Sequence, residues 1–194
     1  MKKQLVILST IMLLFGCGQT KKEKTSQTEN TVKHDSTLNC TTSEKDSLGN
    51  ILNSRKETLN REFKKYKIYR LDETLCEDFN GDGIADKAEF VKSNGKTGII
   101  ITDGKSKEVT RLGFGKEFAI MADFDWVNYW GVLKDSSTIE VEFDKNSGDI
   151  LGGKTVQLKN TSIFLRQDED GDGSGGGGII TYEDNNYKWI HQAE

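Results

Sequence analysis

Proline is absent from this chain of 194 residues. Its turns must therefore come from Gly, Asn, Asp and Ser, which reach turn conformations through φ > 0 or side-chain hydrogen bonds. Histidine is almost absent as well, with only His34 and His191, so no cluster of imidazoles can hold zinc. No G-x-S-x-G elbow occurs to present a serine nucleophile. The one sustained apolar stretch, Gln4 to Phe15, is too short to span a bilayer as a stable helix. Net charge is −4, and residues 1–16 carry Lys2 and Lys3 but no acid, so the remainder is more acidic still. Nucleic acid demands a basic face, and this balance excludes it as a partner while suiting cations. The hydrophobic share of 34% allows one modest core.

What is present begins with a targeting pattern. Met1-Lys2-Lys3 is a short positive segment, followed by the apolar run and then Leu14-Phe15-Gly16-Cys17. That tetrapeptide resembles the lipobox of bacterial lipoproteins, in which a small residue precedes the cysteine that is lipidated and becomes the new N-terminus. The resemblance implies a signal peptide over 1–16, lipidation of Cys17 and a location at the bacterial cell envelope. Several acyl chains on one residue would hold the protein on a membrane, where a single chain anchors only marginally. With Cys17 assigned, Cys40 and Cys76 remain. In an oxidising compartment they are either a disulfide pair or two unrelated thiols.

Residues 17–42 are rich in Lys, Thr, Ser, Gln and Asn and nearly devoid of apolar side chains, a composition expected of a disordered tether. Residues 43–194 are expected to form one mostly-β domain. Leu52, Leu59, Phe63 and Tyr66 fall near one stripe, predicting a helix over Ser43–Tyr66. Ile68 and Leu71 then make a short extended approach. Beyond it the pattern changes to period two. Strands are predicted over Lys87–Lys92, Gly98–Thr102, Glu108–Leu112, Phe118–Ala122 and Trp126–Leu133. Further strands are predicted over Thr138–Phe143, Lys154–Leu158, Ser162–Leu165, Gly178–Tyr182 and Tyr187–His191. Many short strands with polar turns predict an antiparallel sandwich, barrel or meander, preceded by one helix.

Between helix and strands lies the densest set of oxygen ligands in the chain, Asp78-Phe79-Asn80-Gly81-Asp82-Gly83-Ile84-Ala85-Asp86. Hard divalent cations take several oxygens from carboxylates, amides and carbonyls, and three aspartates this close repel one another without compensation. Through Glu89 the stretch satisfies the EF-hand expression D-x-[DN]-x-[DN]-G-x5-E, but a strand rather than a helix is expected to follow. It more closely resembles the D-x-[DN]-x-D-G-x-x-D loops of FG-GAP and VCBS-type β-repeats. That resemblance implies a structural Ca²⁺ held by Asp78, Asn80, Asp82, Asp86 and the Ile84 carbonyl, with Glu89 a ligand only in EF-hand geometry. The bland alternative is a polar turn closed by Asx-type hydrogen bonds. A second run, Asp168, Asp170 and Asp172, has similar spacing but lacks the ninth-position acid. A solvated loop is the simpler reading there, with a weak second ion the other.

Two further signals carry bland readings. Gly148 to Thr155 satisfies the P-loop expression, but a strand-like pattern follows where a helix must begin, so nucleotide binding is not expected. Asp123 to Trp130 sets Trp126, Tyr129 and Trp130 beside two acids. These rings are either a strand packed into the core or a surface for a sugar or protein partner. Asp123 and Asp125 could form a glycosidase pair only at the separation that chemistry requires.

The expected function is a non-enzymatic binding or structural module, anchored at the envelope and braced by calcium. Its expected partners are the membrane, through the lipid anchor at the periplasmic face or the outer surface, and wall glycan or another envelope protein. The alternative is a hydrolase of wall glycan or an inhibitor of a lysozyme-type hydrolase.

Overall fold

The computed structural model describes residues 49–168 and 175–192. The signal peptide, the tether, Cys17, Cys40, Asp170 and Asp172 lie outside them. The fold is mainly β, built of open antiparallel sheets rather than a closed barrel, with one helix before the strands.

Helix α1 runs Gly49–Glu62. It stops four residues short of the predicted end. The amides of Lys64 and Lys65 donate to the Asp135 carboxylate at 2.7 and 3.0 Å, which turns the chain into strand β1, Tyr66–Tyr69. Tyr66 therefore belongs to a strand. Next come β2 (Leu75–Glu77), β3 (Asp86–Ser93), β4 (Lys96–Thr102), β5 (Val109–Gly113) and β6 (Tyr129–Leu133). Then follow β7 (Ser137–Phe143), β8 (Ile150–Gln157), β9 (Ser162–Arg166), β10 (Gly177–Glu183) and β11 (Asn186–Gln192). The predicted strand over Phe118–Ala122 is absent. Ala119 sits at φ 56° and only a single bridge joins Phe118 to Met121, so this stretch is a tight excursion of the β5–β6 connection.

One sheet has the order β1-β6-β9-β10-β11 and a second the order β2-β3-β4-β5, while β7 and β8 form a separate hairpin. Period-two alternation gives the five-stranded sheet two buried faces. Tyr69, Trp130, Val132, Ile163, Leu165 and Ile180 point one way and pack with Leu75, Ala88, Ile99, Ile101 and Leu112 of the second sheet. Tyr129, Leu133, Phe164, Ile179 and Ile190 point the other way, toward Leu59 and Phe63 of α1 and Leu158. The layers are thus helix, central sheet, outer sheet. Gly131 lies where a Cβ would collide with the Lys67 carbonyl and the Phe164 ring, so β1 and β6 depend on its missing side chain to approach.

Two ion pairs, each with one buried partner, orient α1 on its sheet. Arg166, 2% exposed, pairs with Glu62, and Arg55 pairs with Asp168 at 2.7 Å. Arg55 also lies over the Tyr129 ring at 4.7 Å. Such pairs are weak evidence for net stability, but removing one partner strands a buried charge, at a cost of about 3–5 kcal/mol.

Phe164 is fully buried, with ring centroids of Phe63, Tyr66 and Tyr129 at 5.9, 6.4 and 6.4 Å. Phe164→Ala should lower the free energy of unfolding by about 3–5 kcal/mol in urea titrations. Ile150→Ala, at a 64% exposed site, should stay within about 0.5 kcal/mol.

Candidate cation loop

The acidic stretch connects β2 to β3, so strands flank it on both sides and no second EF-hand helix is present. Phe79, 1% exposed, anchors its side chain in the main core. Gly81 and Gly83 have φ of 80° and 86°, the left-handed region that favours glycine. The loop folds back on its own acids. Asp78 accepts the amides of Gly81 at 2.7 Å, Asp82 at 3.1 Å and Gly83 at 2.8 Å. Asn80 Oδ1 accepts the Asp82 amide, and Asp82 accepts the Ile84 amide, both at 2.9 Å. These are the Asx-type bonds that the bland alternative expects.

Asp86 plays a different part from its neighbours. It is fully buried as the first residue of β3. One carboxylate oxygen accepts the Phe79 amide at 3.0 Å and the other the Gly104 amide at 2.8 Å. Burial pushes its carboxyl above the ordinary value, those two amides oppose this, and the nearby charge of Asp103 adds to the rise.

The β4–β5 turn is therefore part of the same unit, which the sequence pattern alone did not disclose. Asp103 accepts the amides of Lys105 and Ser106 at 2.8 and 2.5 Å and the Asn80 amide group at 2.6 Å. A Cβ on Gly104 would strike the Ala85 carbonyl, so glycine is what lets the turn close on the loop. Lys105 stands 3.9 Å from Asp82. From the β8–β9 connection, Asn160 fills the space beside Gly81 and donates to the carbonyl of Tyr182 in β10 of the other sheet at 3.0 Å. The Tyr187 phenol is raised by burial first, then by the charges of Asp86, Tyr182, Asp103 and Asp78.

The donors fit a hard cation in kind. Asp78, Asp82 and Asn80 offer side-chain oxygens, and each carboxylate oxygen bonded to an amide keeps further acceptor capacity. Among the described residues, no three His, Cys, Asp or Glu side chains are grouped closely enough to hold a metal ion in this conformation. Asp86 is the furthest from the expected role in this conformation, since its carboxylate is fully buried while those of Asp78 and Asp82 are not. Glu89 is on β3 and pairs with Lys87 at 2.8 Å. The Ile84 side chain is 43% exposed.

Other expected sites resolve differently. Tyr129 and Trp130 are fully buried, so the partner-surface reading fails for both. Trp130 spends its indole N–H on the Arg70 carbonyl at 2.8 Å, and Trp126 is half-buried, edge-on to Trp189 at 6.2 Å. Asp123 and Asp125 serve the start of β4. Asp123 accepts the Thr97 amide and Asp125 accepts the Thr97 hydroxyl. The 148–155 stretch leads through β8, with no helix to receive a phosphate. Asp168 is committed to Arg55 and its side chain is 1% exposed, which removes it from any second ion site. Cys76 is disulfide-bonded, and pairing with Cys40 falls outside the described residues.

Asp103 is held below the ordinary carboxylate value, chiefly by the Ser106 amide. A carboxyl depressed in the folded state contributes stability that is present above its unfolded value, about pH 3.9, and lost as pH falls through the folded one. Asp103→Asn should therefore be less stable than the parent at pH 7. The gap should close as pH drops below about 3.9 in urea titrations. A gap that is constant with pH would reject this role for the charge.

No protein-family model matches the chain, and no curated protein and no solved structure matches it.

Proposed function

We propose that the protein is a lipid-anchored module of the bacterial cell envelope, non-enzymatic, whose Asp78–Asp86 loop is braced by Ca²⁺. Cys17 carries the anchor. Asp78, Asn80, Asp82 and the Ile84 carbonyl hold the ion, and Asp86 fixes the loop behind them. Bound there, the cation supplies charge compensation for a cluster of acids.

The observation that carries this reading is the position of the loop. Through Asp86 and Asn80 it is bonded to the β4–β5 turn of the outer sheet, and Asn160 of the β8–β9 connection packs against it. An ion that orders this loop acts on both sheets at once. Such a placement favours a brace over a sensor, because the surrounding bonds leave the loop little room to open. Membrane attachment is assigned to Cys17 on the Leu14-Phe15-Gly16-Cys17 tetrapeptide that follows the apolar run.

An ion that binds only the folded state stabilises it by about 2.7 kcal/mol at a hundredfold excess over its Kd. Thermal unfolding of the full chain should shift upward with Ca²⁺ and return with chelator. Asp78→Ala and Asp82→Ala should each abolish the shift, and coincident curves for the parent protein would reject the brace. Cys17→Ala should move the protein from the membrane to the aqueous fraction. Continued membrane retention would reject the lipid anchor.

A further inference from the structure

We infer that the cleft of about 350 Å³ between the Arg70–Asp72 turn, β3, β4 and the Phe124–Val127 turn is a binding site for a neutral saccharide. This deepens the binding-module reading above and rests on it. The volume lies at the low end of the range for small-molecule sites, roughly 300–1,000 Å³.

The floor is apolar and rigid. Leu71 and Phe90, partly exposed, give it its surface, backed by the buried Phe124 and Val127, and all four pack on the main core. Phe90 is held by an edge contact with Trp130, centroids 5.6 Å apart at 69°. Trp130 in turn donates to the Arg70 carbonyl, so one buried indole sets both the aromatic floor and the wall of the cleft.

The rim is polar and its charges cancel in pairs. Arg70 pairs with Asp72 at 2.5 Å, and Lys92 pairs with Asp125 at 3.3 Å. Thr97, 4% exposed, donates its hydroxyl to Asp125 and fixes that carboxylate. A charged ligand would have to break one of these pairs and would find no net field to replace it. A sugar ring would not. Its C–H face suits the Phe90 ring. Its hydroxyls can donate to Asp72 and Asp125 and accept from Lys92 without separating either pair.

Asp125 is not suited to act as the acid of a glycosidase. A glycosidase needs one carboxylic acid raised in pKa to protonate the leaving group. Asp125 is shifted the opposite way, chiefly by the Thr97 hydroxyl and then by Lys92, and stays an acceptor.

The test titrates the full chain with N,N′-diacetylchitobiose and with cellobiose, following backbone amide resonances of Leu71, Lys92, Thr97 and Val127. One or both disaccharides should shift these amides in a saturable way. Glucuronate and glucosamine, the acidic and basic controls, should bind more weakly. Lys92→Gln, at a 67% exposed side chain, should weaken binding about two- to fivefold, the loss expected for a solvent-screened charged contact. Asp125→Asn should do the same. Silence at these amides with both disaccharides would overturn the site. Tighter binding of either charged sugar, or affinity unchanged in Lys92→Gln, would also overturn it. Calcium-dependent melting is an independent readout, so failure of the sugar site alone leaves the brace standing.

Discussion

A single carboxylate, Asp86, joins two loops that would otherwise repel each other. It accepts one amide from the β2–β3 loop and one from the β4–β5 turn, deep enough that no water reaches it. A buried carboxylate is costly unless its oxygens are satisfied, and once satisfied it is costly to disturb. Around it the acids at 78, 82 and 103 are each occupied by backbone amides of their own turns. The negative charge is thus partly answered by peptide dipoles before any cation arrives. A metal at this place would complete an electrostatic arrangement that the backbone has begun.

The rest of the molecule follows from a central sheet with two buried faces. Alternation along β6 sends Trp130 and Val132 to the outer sheet and Tyr129 and Leu133 to the helix. The aromatics that look in sequence like a recognition surface are the residues that let one strand serve both layers. Buried rings of this size need their polar atoms placed. Trp130 places its N–H on a carbonyl three residues before Glu73, and so defines the wall of the cleft proposed to take a sugar.

The strand pattern was legible because it depends on period-two alternation and on turn residues that, without proline, are nearly all Gly, Asn, Asp and Ser. Nine of the ten predicted segments correspond to observed strands, and the exception, Phe118–Ala122, has alternation without a neighbour to pair with. Strands β1 and β2 were not separable in advance, because Leu75–Glu77 is only three residues long. The end of α1 was misread because the residue that ends it, Asp135, is about seventy positions away. The loop's own acids were plain in the sequence, whereas Asp103, Gly104 and Asn160 are brought to it only by folding. Asp86 was expected as a ligand through the resemblance of the loop, and that resemblance does not reveal that folding buries its carboxylate against two amides.

The order of the strands also has a consequence for assembly in time. Strand β1 pairs with β6, so the whole outer sheet is an excursion inserted between two neighbours of the central one. The β2–β5 meander and the β9–β11 meander each pair strands close in sequence and incur little loop-closure entropy. Joining β1 to β6 closes a loop of about sixty residues and gains nothing until both meanders have a surface to offer. It is the natural last step. Contacts made last are absent from the transition state, so weakening the β1–β6 seam should hasten unfolding and leave the folding rate nearly untouched.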